Sequence, residues 1–337
     1  MSTTNMTSTL SSNKFAWLLK REFWEYRGGF FMAPLITTLV MLAIMLLVLV
    51  TAEFKAHQHG IQLGGMNLDQ VVEHIGAGDV AKVHAAVDIG LMGMSVPIGI
   101  VFSFVVFFYL LGALYNDRAD RSVLFWKSLP VTDGATVTSK VLTAMFVAPA
   151  IAFAISTIAY VVFLVLVTLW AAVHGVNALP AIFASHPIGM FGRLLLTIPV
   201  DALWALPTIG WLLFWSSFAR SKPFLWAVIL PIVVVALNGW FGVLGLPHVG
   251  GEIALKNVVG RLLLSVMPGS WLTSDGVSLG GHHMTFGMDD EHVLSSFDPS
   301  RIYGITATTG MWIGIAAGIA LIAAAIWFRG RRIETSV

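Results

Sequence analysis

The chain has 337 residues, of which 57% are hydrophobic and 11% are charged, with no cysteine and a net charge of +1 at pH 7. Soluble domains carry about 25% charged residues, so this composition excludes an ordinary soluble domain and, with its many aromatic residues, a disordered chain. The lack of cysteine excludes disulfides, thiolate zinc sites and cysteine nucleophiles, and the lack of a basic surplus argues against nucleic-acid binding.

The N-terminal region predicts an amphipathic helix over residues 13–29. Asn13 is placed to cap the helix, and the apolar residues at helical spacing are Phe15, Leu18, Leu19, Phe23 and Tyr26. The polar residues opposite them are Lys14, Arg21, Glu22 and Glu25. We expect an elbow helix on the inner membrane face that turns into the bilayer at Gly28 and Gly29; a short cytoplasmic extension of the first span is the alternative.

Six apolar stretches are long enough to cross the hydrocarbon core of a bilayer. They lie at about 30–52, 89–115, 141–173, 194–219, 223–246 and 303–328. The predicted connections are a loop at 116–140 on one side and larger loops at 53–88 and 247–301 on the other. The predicted fold is therefore an all-α integral membrane protein, with one membrane domain over residues 1–337.

The basic residues predict the orientation, because Lys and Arg near span ends are retained on the cytoplasmic side. The tails, loop 116–140 and the short connection at 220–222 share one side, which holds 13 of the 19 basic residues and 6 of the 18 acidic residues. This side is predicted to be cytoplasmic, with both termini on it.

The cytoplasmic loop at 116–140 predicts a short helix with a defined start and end. Asn116 or Asp117 caps its start, Pro130 prevents its continuation, and Thr132 or Asp133 caps the next helix, with Lys140 at the water boundary. The side chains expected to point into the cytosol are Arg118, Arg121, Ser122 and Lys127. Such a helix would transmit a push to both adjoining spans; a passive interfacial connector is the alternative.

This loop reads Ser-Val-Leu-Phe-Trp-Lys-Ser-Leu-Pro-Val-Thr-Asp at 122–133 and is followed by Thr-Ser-Lys at 138–140. It resembles the ABC-2 type permeases of bacterial ABC exporters, and the similarity extends to the elbow helix, the span order and residues 201–207. In that family the loop forms a coupling helix that docks on a separate ATPase. The resemblance implies docking through Asp117, Arg118, Asp120, Arg121, Ser122 and Lys127.

The resemblance also implies a bacterial inner-membrane location and a pairing with a second permease copy or a sister permease. The expected function is ATP-driven movement of a hydrophobic or amphipathic compound by alternating access. The chain has no Gly-x-x-x-x-Gly-Lys-Ser/Thr phosphate loop. We therefore expect no cofactor on this chain, with ATP and Mg²⁺ used by the partner ATPase and membrane lipid surrounding the spans.

Two weaker motifs lie in the outer loop at 247–301. Gly276-Val-Ser278-Leu-Gly280 matches a nucleophile pattern, but no strand, turn and helix surround it, so we expect no enzyme. His282 and His283, before an acidic cluster, offer metal-ligand types without a fixed spacing. These features favour a solvated loop over a metal site.

Asp201 is the carboxylate placed deepest in a predicted span, where an uncompensated charge costs at least a few kcal/mol. Arg193 precedes it by two helical turns, about 12 Å along the axis, and Pro199 and Pro207 flank it with a bend. We predict that Asp201 and Arg193 line the substrate path, or that Asp201 stabilises the bent helix. An ion-coupled secondary transporter, with Asp201 carrying the ion, is the alternative function.

The sixth predicted span carries glycine at every fourth position, at Gly310, Gly314 and Gly318. Small residues at this spacing allow two helices to approach closely. The stripe predicts helix packing, within the subunit or between two permeases.

Overall fold

Helix dominates the computed structural model of the chain, which describes residues 3–58, 77–122, 128, 131–175, 177, 179–184, 187–273 and 299–331. No strand occurs within those ranges. This confirms the all-helical class, which follows from apolar runs too long for strands and from the need to satisfy every backbone amide inside lipid.

Within the described ranges, five helices are long and apolar enough to cross a membrane. They cover Gly28–Lys55, Met94–Ala119, Asp133–Val173, Pro223–Val243 and Thr309–Arg331. A sixth crossing results if the pair Phe191–Trp204 and Leu206–Phe218, bent by 46°, forms one span. The chain is thus a multi-pass membrane protein by helix length and composition.

The α-helices are numbered here in chain order. They are α1 Thr3–Glu25, α2 Ala33–Gln58, α3 Ala77–Ala113, α4 Tyr115–Ala119, α5 Asp133–Leu142, α6 Ala148–Val173, α7 Leu179–Ala184, α8 Pro187–Trp204, α9 Leu206–Phe218, α10 Pro223–Val243, α11 Gly251–Ala254, α12 Pro299–Gly304 and α13 Thr309–Arg331. Three π-helical segments, Gly28–Met32, Thr143–Val147 and Leu255–Leu264, continue into or out of these helices.

Several element ends differ from the predicted boundaries. Helix α1 begins well before residue 13, and α2 and α3 extend into the predicted loop at 53–88. The third span begins at Asp133 rather than at 141. The sixth begins at Thr309, because a 3₁₀ turn at Ile305–Ala307 separates it from α12. Apolar runs did not predict these extensions, because the added helix ends contain charged and polar residues.

The fourth predicted span bends at Ala205, between α8 and α9. Pro207 lies in the first turn of α9, so one backbone amide donor is missing from the helix close to the point where α8 and α9 meet. Backbone bonds continue across the bend, since the Ala205 amide donates to the Asp201 carbonyl and the Ile209 amide to the Ala205 carbonyl, both at 2.9 Å.

Helices α9 and α13 pack together at the centre of the core. A Cβ atom on Gly318 would lie 2.6 Å from the Leu206 carbonyl group, and one on Gly210 would lie 2.5 Å from the Gly318 carbonyl oxygen. Glycine at both positions therefore permits a backbone contact that no other residue allows. Ile209, Leu212 and Leu213 of α9 are fully buried around it.

Candidate functional site

A cavity of about 160 Å³ lies between α3, α6 and α8. Its walls are apolar and include Ile98, Phe102, Met145 and Phe153. Asp201 is the one ionisable residue among the described residues that line it. The cavity thus combines an apolar interior with a single carboxylate.

Asp201 joins α8 to the segment that follows the π-helix Leu255–Leu264. Its Oδ1 atom accepts hydrogen bonds from the Gly269 amide and from Nε1 of Trp271, both at 2.9 Å. Trp271 is fully buried, and Val266 and Pro268 of the same segment line the cavity. Residues 265–273, named here the cover segment, therefore close one side of the cavity and are held there by Asp201.

The cover segment turns sharply at Gly269, whose φ angle is +74°. This left-handed conformation strains any residue with a Cβ atom, so glycine is needed where the chain turns to present its amide to Asp201. Arg193, the other predicted pathway residue, lies two turns earlier on α8 and is not among the residues that line the cavity.

Arg261 anchors the preceding π-helix to the core. Its guanidinium lies over the Trp204 ring, 3.5 Å from the centroid, and its carbonyl accepts a hydrogen bond from Thr208 at 3.0 Å. The guanidinium also crosses Gly314 of α13 so closely that a Cβ atom there would collide with it. Gly314 and Gly318 thus lie in contacts within the subunit, whereas a Cβ atom on Gly310 would meet no atom within 4 Å.

A second polar centre lies at the predicted cytoplasmic end of the helices. We name it the ion cluster; its members are Glu22, Asp117, Asp133, Lys140 and Arg329. Lys140 Nζ lies 3.1 Å from Glu22 Oε1 and 3.9 Å from Asp117 Oδ2. Arg329 binds Asp117 at 3.0 Å through Nη1 and Asp133 at 3.1 Å through Nε.

Four members of the ion cluster are buried, with Glu22 and Lys140 at 0% exposure, Asp117 at 3% and Arg329 at 5%, while Asp133 is partly exposed. Glu22 Oε2 also accepts a hydrogen bond from the Tyr109 hydroxyl at 2.9 Å. Because its members come from α1, α4, α5 and α13, the ion cluster joins the N-terminal helix to three span ends. The four buried members are two acids and two bases, which satisfies the rule that buried charges are paired.

The ion cluster was not foreseen as a unit, and two expectations about it were wrong. Glu22 was placed on the polar face of the N-terminal helix and Lys140 at the water boundary, yet both are fully buried. A signal was present in the sequence: Glu22 lies four residues after Leu18 and four before Tyr26, and so on the apolar stripe.

The predicted coupling residues divide into buried and exposed groups. Asp117 belongs to the ion cluster and is buried, so it does not face the cytosol. Arg118 is half-buried rather than solvent-directed, since it donates to the carbonyls of Ser216 at 2.6 Å and Ala219 at 3.0 Å. It thereby caps the end of α9, where carbonyls lack helical partners.

Asp120 and Arg121 are exposed and follow the end of α4. Asp120 Oδ1 accepts a hydrogen bond from the Ser122 amide at 3.0 Å, and this bond lowers the pKa of the Asp120 carboxyl. Arg121 has a φ angle of +61°, a strained conformation for a residue other than glycine. Lys127, together with 123–126, 129 and 130, lies outside the described residues, so α4 covers only the start of the predicted coupling helix.

The next helix, α5, begins with the predicted cap. The Thr132 side chain accepts a hydrogen bond from the Ala135 amide at 3.1 Å, so Thr132 rather than Asp133 is the cap. The Asp133 carboxylate instead accepts a hydrogen bond from Arg329.

Burial and nearby carboxylates raise the pKa values of two residues at the end of α1, beside the ion cluster. Burial raises the pKa of Glu25, and burial together with the nearby carboxylates raises the pKa of Tyr26 to about 12. Both shifts show that negative charge is disfavoured near the end of α1. Lys140 and Arg329 therefore stabilise the charged forms of Glu22 and Asp117.

Comparison of the chain with protein-family models, curated proteins and solved structures finds no match. Among the described residues, no group of three or more His, Asp or Glu side chains is arranged to hold a metal ion. The His282 and His283 pair and the Gly276–Gly280 motif lie outside the described residues.

Proposed function

We propose that the chain is the permease subunit of an ATP-driven exporter of the ABC-2 type. The ion cluster is the observation that carries this proposal. Its ion pairs join α1, α4, α5 and α13, and its member Asp117 lies three residues before the exposed Asp120. A force applied to that exposed turn would therefore be transmitted through these ion pairs to all four helices.

In this proposal a separate ATPase docks on residues 120–127 and uses ATP and Mg²⁺. Helix α1 is the elbow helix on the inner membrane face, with Trp17 and Trp24 exposed on it, as amphipathic aromatic rings favour the headgroup region. A second permease copy or a sister permease completes the pathway. The membrane is a bacterial inner membrane, with both termini cytoplasmic.

The cavity and the cover segment supply the proposed transport path. The cover segment closes the cavity on the predicted outer side, held by the two hydrogen bonds to Asp201. ATP-driven rearrangement of the spans would break these bonds and open the cavity outward. The apolar walls suit a hydrophobic or amphipathic compound. The chain itself performs no covalent chemistry in this scheme.

Docking is tested by charge reversal of Arg121 and Lys127. We expect the Arg121→Glu, Lys127→Glu protein to insert in the membrane normally and to lose copurification of the ATPase. Arg220→Glu is the matched control, since Arg220 is an exposed basic residue on the same predicted side, and it should retain the ATPase. Undiminished copurification with the double variant would refute docking at this loop.

Ion-coupled secondary transport remains the second candidate, because the ionisable residue found among the described lining of the cavity, Asp201, is a carboxylate. The two functions differ in their energy source. Transport in proteoliposomes that requires ATP and the partner supports the exporter. Transport that follows an imposed proton or sodium gradient without ATP supports the alternative, and Asp201→Asn should then abolish it.

A further inference from the structure

The cavity beside Asp201 has a size, a wall chemistry and a charge that together define a ligand class. We propose that it binds a small organic ammonium ion, with an aromatic or branched-alkyl group in the cavity and the ammonium group against Asp201. The binding itself does not depend on the proposed function. Only the further step, that the protein exports such a compound, rests on it.

The volume sets the size of the apolar group. The cavity measures about 160 Å³, and an apolar protein cavity of about 150 Å³ holds one benzene molecule. One six-membered ring, or a branched alkyl group of similar bulk, therefore fills it. A larger ligand would have to displace the cover segment.

The walls set the chemistry of that group. Ile98 and Phe102 of α3 are 2% and 4% exposed, and Met145 and Phe153 face the same cavity from the third span. Aliphatic and aromatic walls favour an apolar ligand through removal of its surface from water. Phe102 and Phe153 line the cavity, and an aromatic ring attracts a cation placed over its face.

The charge of the site requires a cationic group. The two donors that Asp201 Oδ1 receives, the Gly269 amide and the Trp271 indole, are both neutral. They stabilise the carboxylate without bringing a positive charge, and none of the described residues that line the cavity is cationic. A buried carboxylate is strongly stabilised by an opposite charge, and a ligand ammonium entering the cavity supplies one.

Polar side chains around Asp201 complete the ammonium site. Ser95, Ser156 and Thr197 line the same cavity, and a hydroxyl oxygen accepts a hydrogen bond from an ammonium N–H. An ammonium group has three donors, so one carboxylate and neighbouring hydroxyls can satisfy it. A carboxylic acid ligand, by contrast, would bring a second negative charge against Asp201.

The experiment compares benzylamine with benzyl alcohol, which has the same ring and no charge at neutral pH. Binding to the purified full chain in lipid nanodiscs is measured by ligand-detected NMR, with empty nanodiscs to subtract partitioning into lipid. We expect the wild-type protein to bind benzylamine about tenfold more tightly than benzyl alcohol, because only benzylamine can pair a positive charge with Asp201 in a charge-assisted hydrogen bond.

Two variants locate the binding. Asp201→Asn keeps an oxygen that can accept from Gly269 and Trp271, and should weaken benzylamine about tenfold while changing benzyl alcohol by less than about threefold. Ala152→Phe fills the cavity from its wall and should remove the binding of both compounds. Unfolding temperatures confirm that each variant is folded.

Equal affinity of the wild-type protein for the two compounds, or benzylamine binding unchanged in Asp201→Asn, would overturn the proposal. Retention of both ligands by a folded Ala152→Phe protein would place binding elsewhere and overturn it as well. None of these measurements involves ATP or a partner. They therefore fail or succeed independently of the ATPase copurification that tests the proposed function.

Discussion

Replacement of Lys140 by methionine tests the ion cluster most directly. Methionine has nearly the length of lysine and removes only the charge. Glu22, fully buried, would lose the ammonium group that lies within 3.2 Å of both its carboxylate oxygens. Its remaining close partner would be the Tyr109 hydroxyl at 2.9 Å, with the Arg21 guanidinium 3.9 Å away.

The structure sets the size of the effect. Removal of one member of a buried ion pair costs about 3–5 kcal/mol, because the other charge stays buried without compensation. A chain of 337 residues has an unfolding entropy of roughly 0.7 kcal/mol per kelvin at about 2.1 cal/mol/K per residue. The expected decrease in Tm is therefore about 4–7 °C.

The assay is thermal unfolding of the full chain in detergent, followed by tryptophan fluorescence. The double variant Glu22→Gln, Lys140→Met is the matched control: with both charges removed, we expect it to recover at least about half of the lost stability. A Lys140→Met protein that unfolds within about 1 °C of the wild type would refute the assignment of Lys140 as the counter-ion of Glu22.

Three further predictions use the same unfolding assay. Gly318→Ala should cost about 1–3 kcal/mol, because its Cβ atom would lie 2.6 Å from the Leu206 backbone, whereas Gly310→Ala, in open space, should cost nothing or stabilise the helix. Thr132→Ala should cost about 1 kcal/mol through loss of the helix cap, and Thr132→Ser should retain most of it. The pKa of His174 is raised, first by its hydrogen bond to a backbone carbonyl and then by its contact with a carboxylate, so its stabilising contribution is complete below about pH 6.5 and is lost as the pH rises through the higher folded value. The Tm should accordingly decrease between pH 6 and pH 9 by more in the wild type than in His174→Gln, and equal decreases would contradict this.

The apolar runs and turn residues sufficed to predict the class of fold. Runs of more than 20 apolar residues admit no strand in lipid, and Pro207 marked the place where α8 gives way to α9. Helix ends were less predictable, because Asp133 and Lys140 read as water-facing residues. In the structure, a partner on another helix, Arg329 for Asp133 and Glu22 for Lys140, allows the helix to include them.

The candidate site was predictable where one residue carried the chemistry and unpredictable where distant segments met. Asp201 stood out as an acid in an apolar span. Its donors, Gly269 and Trp271, follow it by 68 and 70 residues, and no periodic pattern relates positions so far apart. The charge of Arg118 predicted a side chain in the cytosol. In the structure it instead donates hydrogen bonds to backbone carbonyls at the C-terminal end of α9.

The separation of Asp117 and Arg329 along the chain constrains the order in which the protein is made. The two residues are 212 positions apart, so most of the chain must leave the ribosome before Asp117 meets its arginine. Until then the earlier helices hold an acidic residue without that partner. The contact between Asp117 and Arg329 therefore forms only once α13 is in place, and a chain interrupted before Arg329 would leave Lys140, 3.9 Å away, as the cationic neighbour of Asp117.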